Sequence, residues 1–120
     1  MIYLTHHLIF RAMETNYLMI FCTVPDTKSA ESIASVLVSE QLAACCNIVK
    51  DVRSVYSWKN EICDDTELLL VIKTTVDAYD NLEAKITELH PYEVPEILAI
   101  PIYRGSKDYL NWVDSNVNIG

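Results

Sequence analysis

The residues with reactive side chains are few and mostly ill-spaced for chemistry. Cys22, Cys45, Cys46 and Cys63 are the four thiols, and no two stand in C-x-x-C spacing, so neither a zinc ribbon nor a dithiol redox motif is indicated. Adjacent Cys45 and Cys46 are poorly placed to bridge each other. The set reads as reduced thiols of a cytoplasmic protein, serving mainly as small apolar side chains. His6 and His7 lie in what reads as a tail and lack HxxxH spacing, which leaves His90. No GxSxG motif or nucleophile–base spacing accompanies His90, so the chain is not expected to be an enzyme. With Gly105 and Gly120 as the only glycines, there is no phosphate cradle. Asp64, Asp65 and Glu67 read as a solvated acidic face. The one set rich enough to build a cleft between subunits is aromatic and basic: Tyr56, Trp58, Lys73, Tyr92, Tyr109 and Trp112. Tyrosine and tryptophan suit subunit interfaces and small-molecule clefts alike. Lys73 ends an apolar strand and needs a carboxylate such as Glu96, or an anionic ligand. Of the two, pairing inside an interface or core carries more weight.

Composition bounds what these residues can serve. The chain has 120 residues and a mass of 13.7 kDa, enough for one domain and one core. It is 51% hydrophobic with a mean hydropathy of +0.14, an apolar balance that implies buried surface between subunits as well as within one. A net charge of −8 and only nine basic residues, none in a run, argue against nucleic acid as a partner. No apolar stretch approaches the ~20 residues of a membrane span. Leu8-Ile9-Phe10 is too short for a signal peptide, and Arg11 follows it instead of preceding it. Residues 1–15 are therefore expected to be an N-terminal extension outside the fold, with Met13 as an alternative start, and 16–120 to form the domain.

The elements that must position these side chains follow from periodicity. Tyr17–Val24 is a continuous apolar run of strand length, closed by Pro25, with Asp26 as N-cap for a helix. That helix carries Ala30, Ile33, Ala34, Leu37, Val38 and Leu42 along one stripe between Thr27 and Ala44. Cys45–Trp58 reads as a strand with a bulge near Lys50-Asp51. Lys59-Asn60 is a tight hairpin turn, and Glu61–Thr74 returns, buried over Leu68–Ile72. Thr74 and Asp77 resemble a capping box for a second helix that turns Val76, Tyr79, Leu82, Ile86 and Leu89 inward and ends at Pro91. Ile97–Tyr103 is a further strand, at an edge because of Pro101. Gly105-Ser106 opens a last helix with Tyr109, Leu110 and Val113. The order β-α-β-β-α-β is the split βαβ plan: an α+β, ferredoxin-like antiparallel sheet with helices on one face and a C-terminal helix. Its other face calls for a partner.

Several blocks resemble one family. Cys22-Thr23-Val24-Pro25-Asp26, Leu42-Ala43-Ala44-Cys45, Tyr56-Ser57-Trp58, Ile72-Lys73-Thr74-Thr75, His90-Pro91-Tyr92-Glu93-Val94-Pro95-Glu96 and Asp108-Tyr109-Leu110-x-Trp112 are similar to the CutA divalent-ion tolerance proteins. They run in order from about Tyr17 to Val117. Asn60 stands where that family usually has glycine, and asparagine tolerates the left-handed conformation best among the alternatives.

The resemblance implies a ferredoxin-like homotrimer whose long hairpin packs across subunits, and a role in metal tolerance without an established reaction. It also implies a candidate metal set, Cys22, His90 and Glu96, whose thiolate, imidazole and carboxylate suit Cu or Zn better than Mg or Ca. No cofactor is expected to be needed for folding. Against the metal reading, Cys22 would fill a core, His90 would cap helix carbonyls, and Glu96 would accept backbone hydrogen bonds. Two other functions compete: a PII-like small-ligand signalling trimer, and a ligand-free trimeric scaffold for an unknown protein partner.

Overall fold

The computed structural model describes residues 15–118. Seven elements follow in order: β1 (Tyr17–Val24), α1 (Thr27–Ser39), β2 (Cys45–Trp58), β3 (Glu61–Thr75), α2 (Tyr79–Leu89), β4 (Leu98–Pro101) and α3 (Lys107–Asn116). The strands make one antiparallel sheet in the order β2-β3-β1-β4. Pro101 ends β4, an edge strand paired only with β1, where a missing N–H costs no ladder bond. Residues 1–14, with His6 and His7, lie outside the described residues, while Thr15 Oγ1 accepts a hydrogen bond from the Tyr17 N–H at 3.1 Å.

Alternation along the strands sorts the sheet into two faces. Ile20, Cys22 and Val24 of β1 join Leu68, Leu70 and Ile72 of β3 in a core with Ala30, Ile33 and Leu37 of α1 and Leu82 and Ile86 of α2. Both helices therefore cover the same face. The alternate residues, Met19 and Phe21 of β1 and Leu69 and Val71 of β3, look the other way. Register places Phe21 between Val71 and Leu98, and Met19 beside Ile100. Leu98 is 56% exposed and Ile100 39%. Helix α3 covers only one end of this second face, where the Tyr17 hydroxyl donates to Asp114 and Val113 is buried.

Beyond Val49 the β2–β3 hairpin leaves the sheet as an arm. The ladder shifts by one residue between Val49 and Val52, with Asp51 at φ 60°, so the expected bulge sits where Lys50-Asp51 interrupts the strand pattern. At the tip Lys59 and Asn60 both have positive φ, 50° and 66°, as a type I′ hairpin turn requires. The arm exposes Val55 and Ile62, at 64% and 78%.

Three local expectations need correction. Helix α1 ends at Ser39, not near Ala44, because Gln41 turns left-handed at φ 58° and Leu42 bonds back to the Leu37 carbonyl. The capping box at Thr74 does not form: Thr74 is fully buried and donates its hydroxyl to the Leu42 carbonyl at 2.7 Å. Helix α2 starts only at Tyr79, with Ala78 at the N-cap and no side-chain capping hydrogen bond, and Val76 is left 46% exposed.

Candidate functional site

Three segments meet at the base of the arm: the end of β1, the root of the hairpin and the stretch after α2. Pro91 has no N–H to continue the helix, so α2 stops at Leu89 and the chain crosses toward β1. His90 fastens that crossing. Its Nε2 lies 2.8 Å from the Thr23 carbonyl oxygen and its Nδ1 accepts from the Tyr92 N–H at 3.0 Å. A carbonyl can only accept and an N–H can only donate, so the imidazole is the neutral Nε2–H tautomer with both nitrogens used. The ring does not cap helix carbonyls, as its position suggests. It ties the loop to a strand.

Tyr92 then reaches across to the hairpin, stacking at a tilt on His90 with ring centroids 4.9 Å apart. Its hydroxyl donates to Glu67 Oε2 at 2.6 Å. Burial, reinforced by that carboxylate, pushes the Tyr92 hydroxyl well above the ordinary tyrosine range. The Tyr56 hydroxyl donates to Asp65 at 2.5 Å, and this bond raises its pKa to about 12. Both phenols are therefore fixed donors at neutral pH. Together with Trp58, Glu96 and Thr23 they bound a groove of about 690 Å³.

Glu67 is the residue the sequence pattern misplaces. Its neighbours group it with Asp64 and Asp65 as a solvated face, yet it is only 4% exposed. The signal is present: counting back from the Lys59-Asn60 turn sets Glu67 opposite Val52, on the same side as Ser54 and Tyr56, under the aromatic loop.

The aromatic and basic set separates into two places. Tyr56, Trp58 and Tyr92 share the groove. Tyr109 and Trp112 stack on each other along α3, 5.6 Å apart, near the other end of the sheet, where Tyr109 approaches Cys45. Lys73 belongs to this second place, because register pairs it with Cys45. Its ammonium donates to the Asn47 side-chain oxygen. An amide oxygen, not Glu96 or another carboxylate, is its partner.

Cys22, His90 and Glu96 come near one another without forming a ready site. Cys22 is fully buried on the core-facing side of β1, whereas Thr23, its neighbour in the groove, alternates to the other side. Desolvation, with a smaller push from Glu96, raises the Cys22 thiol to about 12. A metal ligand must be thiolate, and a ligating imidazole must offer a free lone pair. His90 offers none while it holds Thr23 and Tyr92. Among the described residues no group of three His, Cys, Asp or Glu side chains is arranged to hold a metal ion. The donor types suit Cu or Zn, but the residues as folded do not fit one.

A family model described as "CutA1 divalent ion tolerance protein" matches residues 18–116. The divalent-cation tolerance protein CutA of Thermus thermophilus is 47% identical over 98 residues, covering 82% of this chain and 95% of that protein. A solved structure of the Cut A1 divalent cation tolerance protein from Thermus thermophilus superposes with a TM-score of 0.83 at 45% identity, covering 85% of this chain and 99% of the other. Mouse protein CutA is 41% identical over 78% of this chain, which spans only 52% of the mouse protein's length. A structure titled as the periplasmic divalent cation tolerance protein CutA from Archaeoglobus fulgidus gives a TM-score of 0.82 at 35% identity, covering 85% of this chain and 99% of that one.

Proposed function

The chain belongs to the CutA1 divalent ion tolerance family, and from that premise we propose that it serves divalent-cation tolerance as a homotrimer with a ferredoxin-like subunit. The observation that carries the assembly is the second sheet face. Phe21, Val71, Leu98 and Ile100 form an apolar surface that α3 covers at one end only, and the arm presents Val55 and Ile62 to solvent. A face of this kind is buried against copies of the same chain in closed oligomers. The four free cysteines favour a reducing, cytoplasmic setting for this chain. No catalytic step is assigned to it.

Metal association belongs to the same proposal in a conditional form. As folded, Cys22, His90 and Glu96 do not form a metal site, and they would hold Cu or another divalent cation only in a rearranged state in which the Tyr92 N–H no longer occupies Nδ1 of His90 and the Cys22 thiol is ionised. Binding should therefore release protons and loosen the loop after α2. The test is a copper and zinc titration of chelator-stripped protein beside Cys22→Ala and His90→Ala variants. Stoichiometric, proton-releasing binding that both variants lose is the expected result. Weak binding shared by all three proteins would remove these residues from the metal chemistry.

A second reading has its own observation. The groove of about 690 Å³ at the base of the arm has the size of a small-ligand site, so the trimer would sense an organic ligand there.

A further inference from the structure

We propose that the Tyr92–Glu67 hydrogen bond is a latch that sets the angle of the arm before it docks on a second copy of the chain, with the ladder break at Lys50-Asp51 as its hinge. The proposal rests on the homotrimer reading above and names the contact within one subunit that prepares that assembly. It depends on bonds inside the subunit, not on which surfaces stay open once copies meet. The hinge is built into β2. Between Val49 and Val52 the register with β3 shifts, and Asp51 takes a left-handed φ of 60°. Such a bulge bends its strand and interrupts the ladder, so the arm joins the sheet where pairing is weakest.

Past the break the arm holds itself together. Arg53 donates twice to Asp64, at 2.9 and 2.6 Å, and Tyr56 donates to Asp65. These bonds tie the two strands to each other and leave open how the pair departs from the sheet. Among the described residues, the one side-chain hydrogen bond from the arm to another part of the chain is that of the Tyr92 hydroxyl on Glu67 Oε2, at 2.6 Å. Glu67 pairs with Val52, the first step of the ladder beyond the break, so the tie acts directly at the hinge. Both of its ends are braced. The Tyr92 N–H is held by Nδ1 of His90, whose Nε2–H donates to the Thr23 carbonyl of β1. Glu67 is only 4% exposed, and a carboxylate accepting from a hydroxyl makes a stronger bond than a neutral pair does. Fixing a segment in its docked orientation strengthens association, because less ordering remains to be done on contact.

Subunit exchange between nitrogen-15-labelled and unlabelled full chain, followed by native mass spectrometry, tests this in wild type, Tyr92→Phe and Tyr56→Phe. The last variant deletes a phenol–carboxylate bond of the same kind inside the arm. Tyr92→Phe should exchange subunits at least tenfold faster than wild type. Its amide hydrogens at Val52 and Glu67 should also exchange at least tenfold faster, with those of β1 unchanged. Tyr56→Phe should alter neither rate by more than about threefold. Should Tyr92→Phe not fold because Glu67 loses its donor, Tyr92→Phe combined with Glu67→Gln, which buries no unpaired charge, carries the same comparison. If either rate stays at the wild-type value, or if Tyr56→Phe matches Tyr92→Phe, the latch is wrong and the homotrimer reading survives. If the wild-type chain is a monomer throughout, both are wrong.

Discussion

Replacing Ile72 by alanine should lower the unfolding free energy by about 2–5 kcal/mol, the usual range for truncating a large aliphatic side chain in a packed core. Ile72 is fully buried in β3, an interior strand of the sheet, and stands between Ile20 of β1 and Cys46 of β2. Neighbouring strands hold its backbone on both sides, so the site has little freedom to collapse. Against a typical domain stability of about 5–15 kcal/mol, this single change consumes much of the margin. A urea-denaturation midpoint compared with wild type reads the effect. Ile62→Ala, on the same strand but 78% exposed, is the matching control, and its direct effect within one subunit should stay below about 0.5 kcal/mol. A loss under about 1 kcal/mol for Ile72→Ala would mean that the core does not run beneath β3 as described.

His90→Phe should cost about 2–4 kcal/mol, the lower part of the range for two polar groups that each cost about 1–3 kcal/mol when buried without a partner, because both hydrogen bonds are only part-buried. Phenylalanine keeps a ring at a position that is 7% exposed. It removes the donor to the Thr23 carbonyl and the acceptor for the Tyr92 N–H. Packing is largely preserved, so the loss reports the two hydrogen bonds. Amide hydrogen exchange at Tyr92 should quicken together with the loss of stability. If stability falls by less than about 0.5 kcal/mol and exchange is unchanged, the imidazole is only filling space, and its availability to a metal must be reconsidered.

Much of the fold is legible in the sequence because it rests on local signals. The apolar run of β1, the interruption at Lys50-Asp51, the Lys59-Asn60 turn and Pro101 at a strand end each have one economical structural meaning. Where long-range contacts decide, the local pattern misleads. Thr74 looks like a cap, yet its hydroxyl is claimed by the Leu42 carbonyl, 32 residues away in sequence. Glu67 looks like a surface acid beside Asp64 and Asp65, until Tyr92 folds over it. Lys73 looks as if it requires a carboxylate, and the side-chain oxygen of Asn47 on the adjacent strand suffices. The aromatic set reads as one group in sequence and folds as two, because Tyr92 and Tyr109 approach the sheet from different connections. His90 shows the same limit: its residue type advertises metal chemistry, and only its two partners reveal how it is used.

Sedimentation equilibrium of the full chain, across a range of concentrations, tests the central claim most directly. The apolar second face and the exposed arm lead us to expect a single species of three times the 13.7 kDa chain mass, persisting on dilution. A monomer at all concentrations would leave Phe21, Val71, Leu98 and Ile100 facing water and would contradict the account.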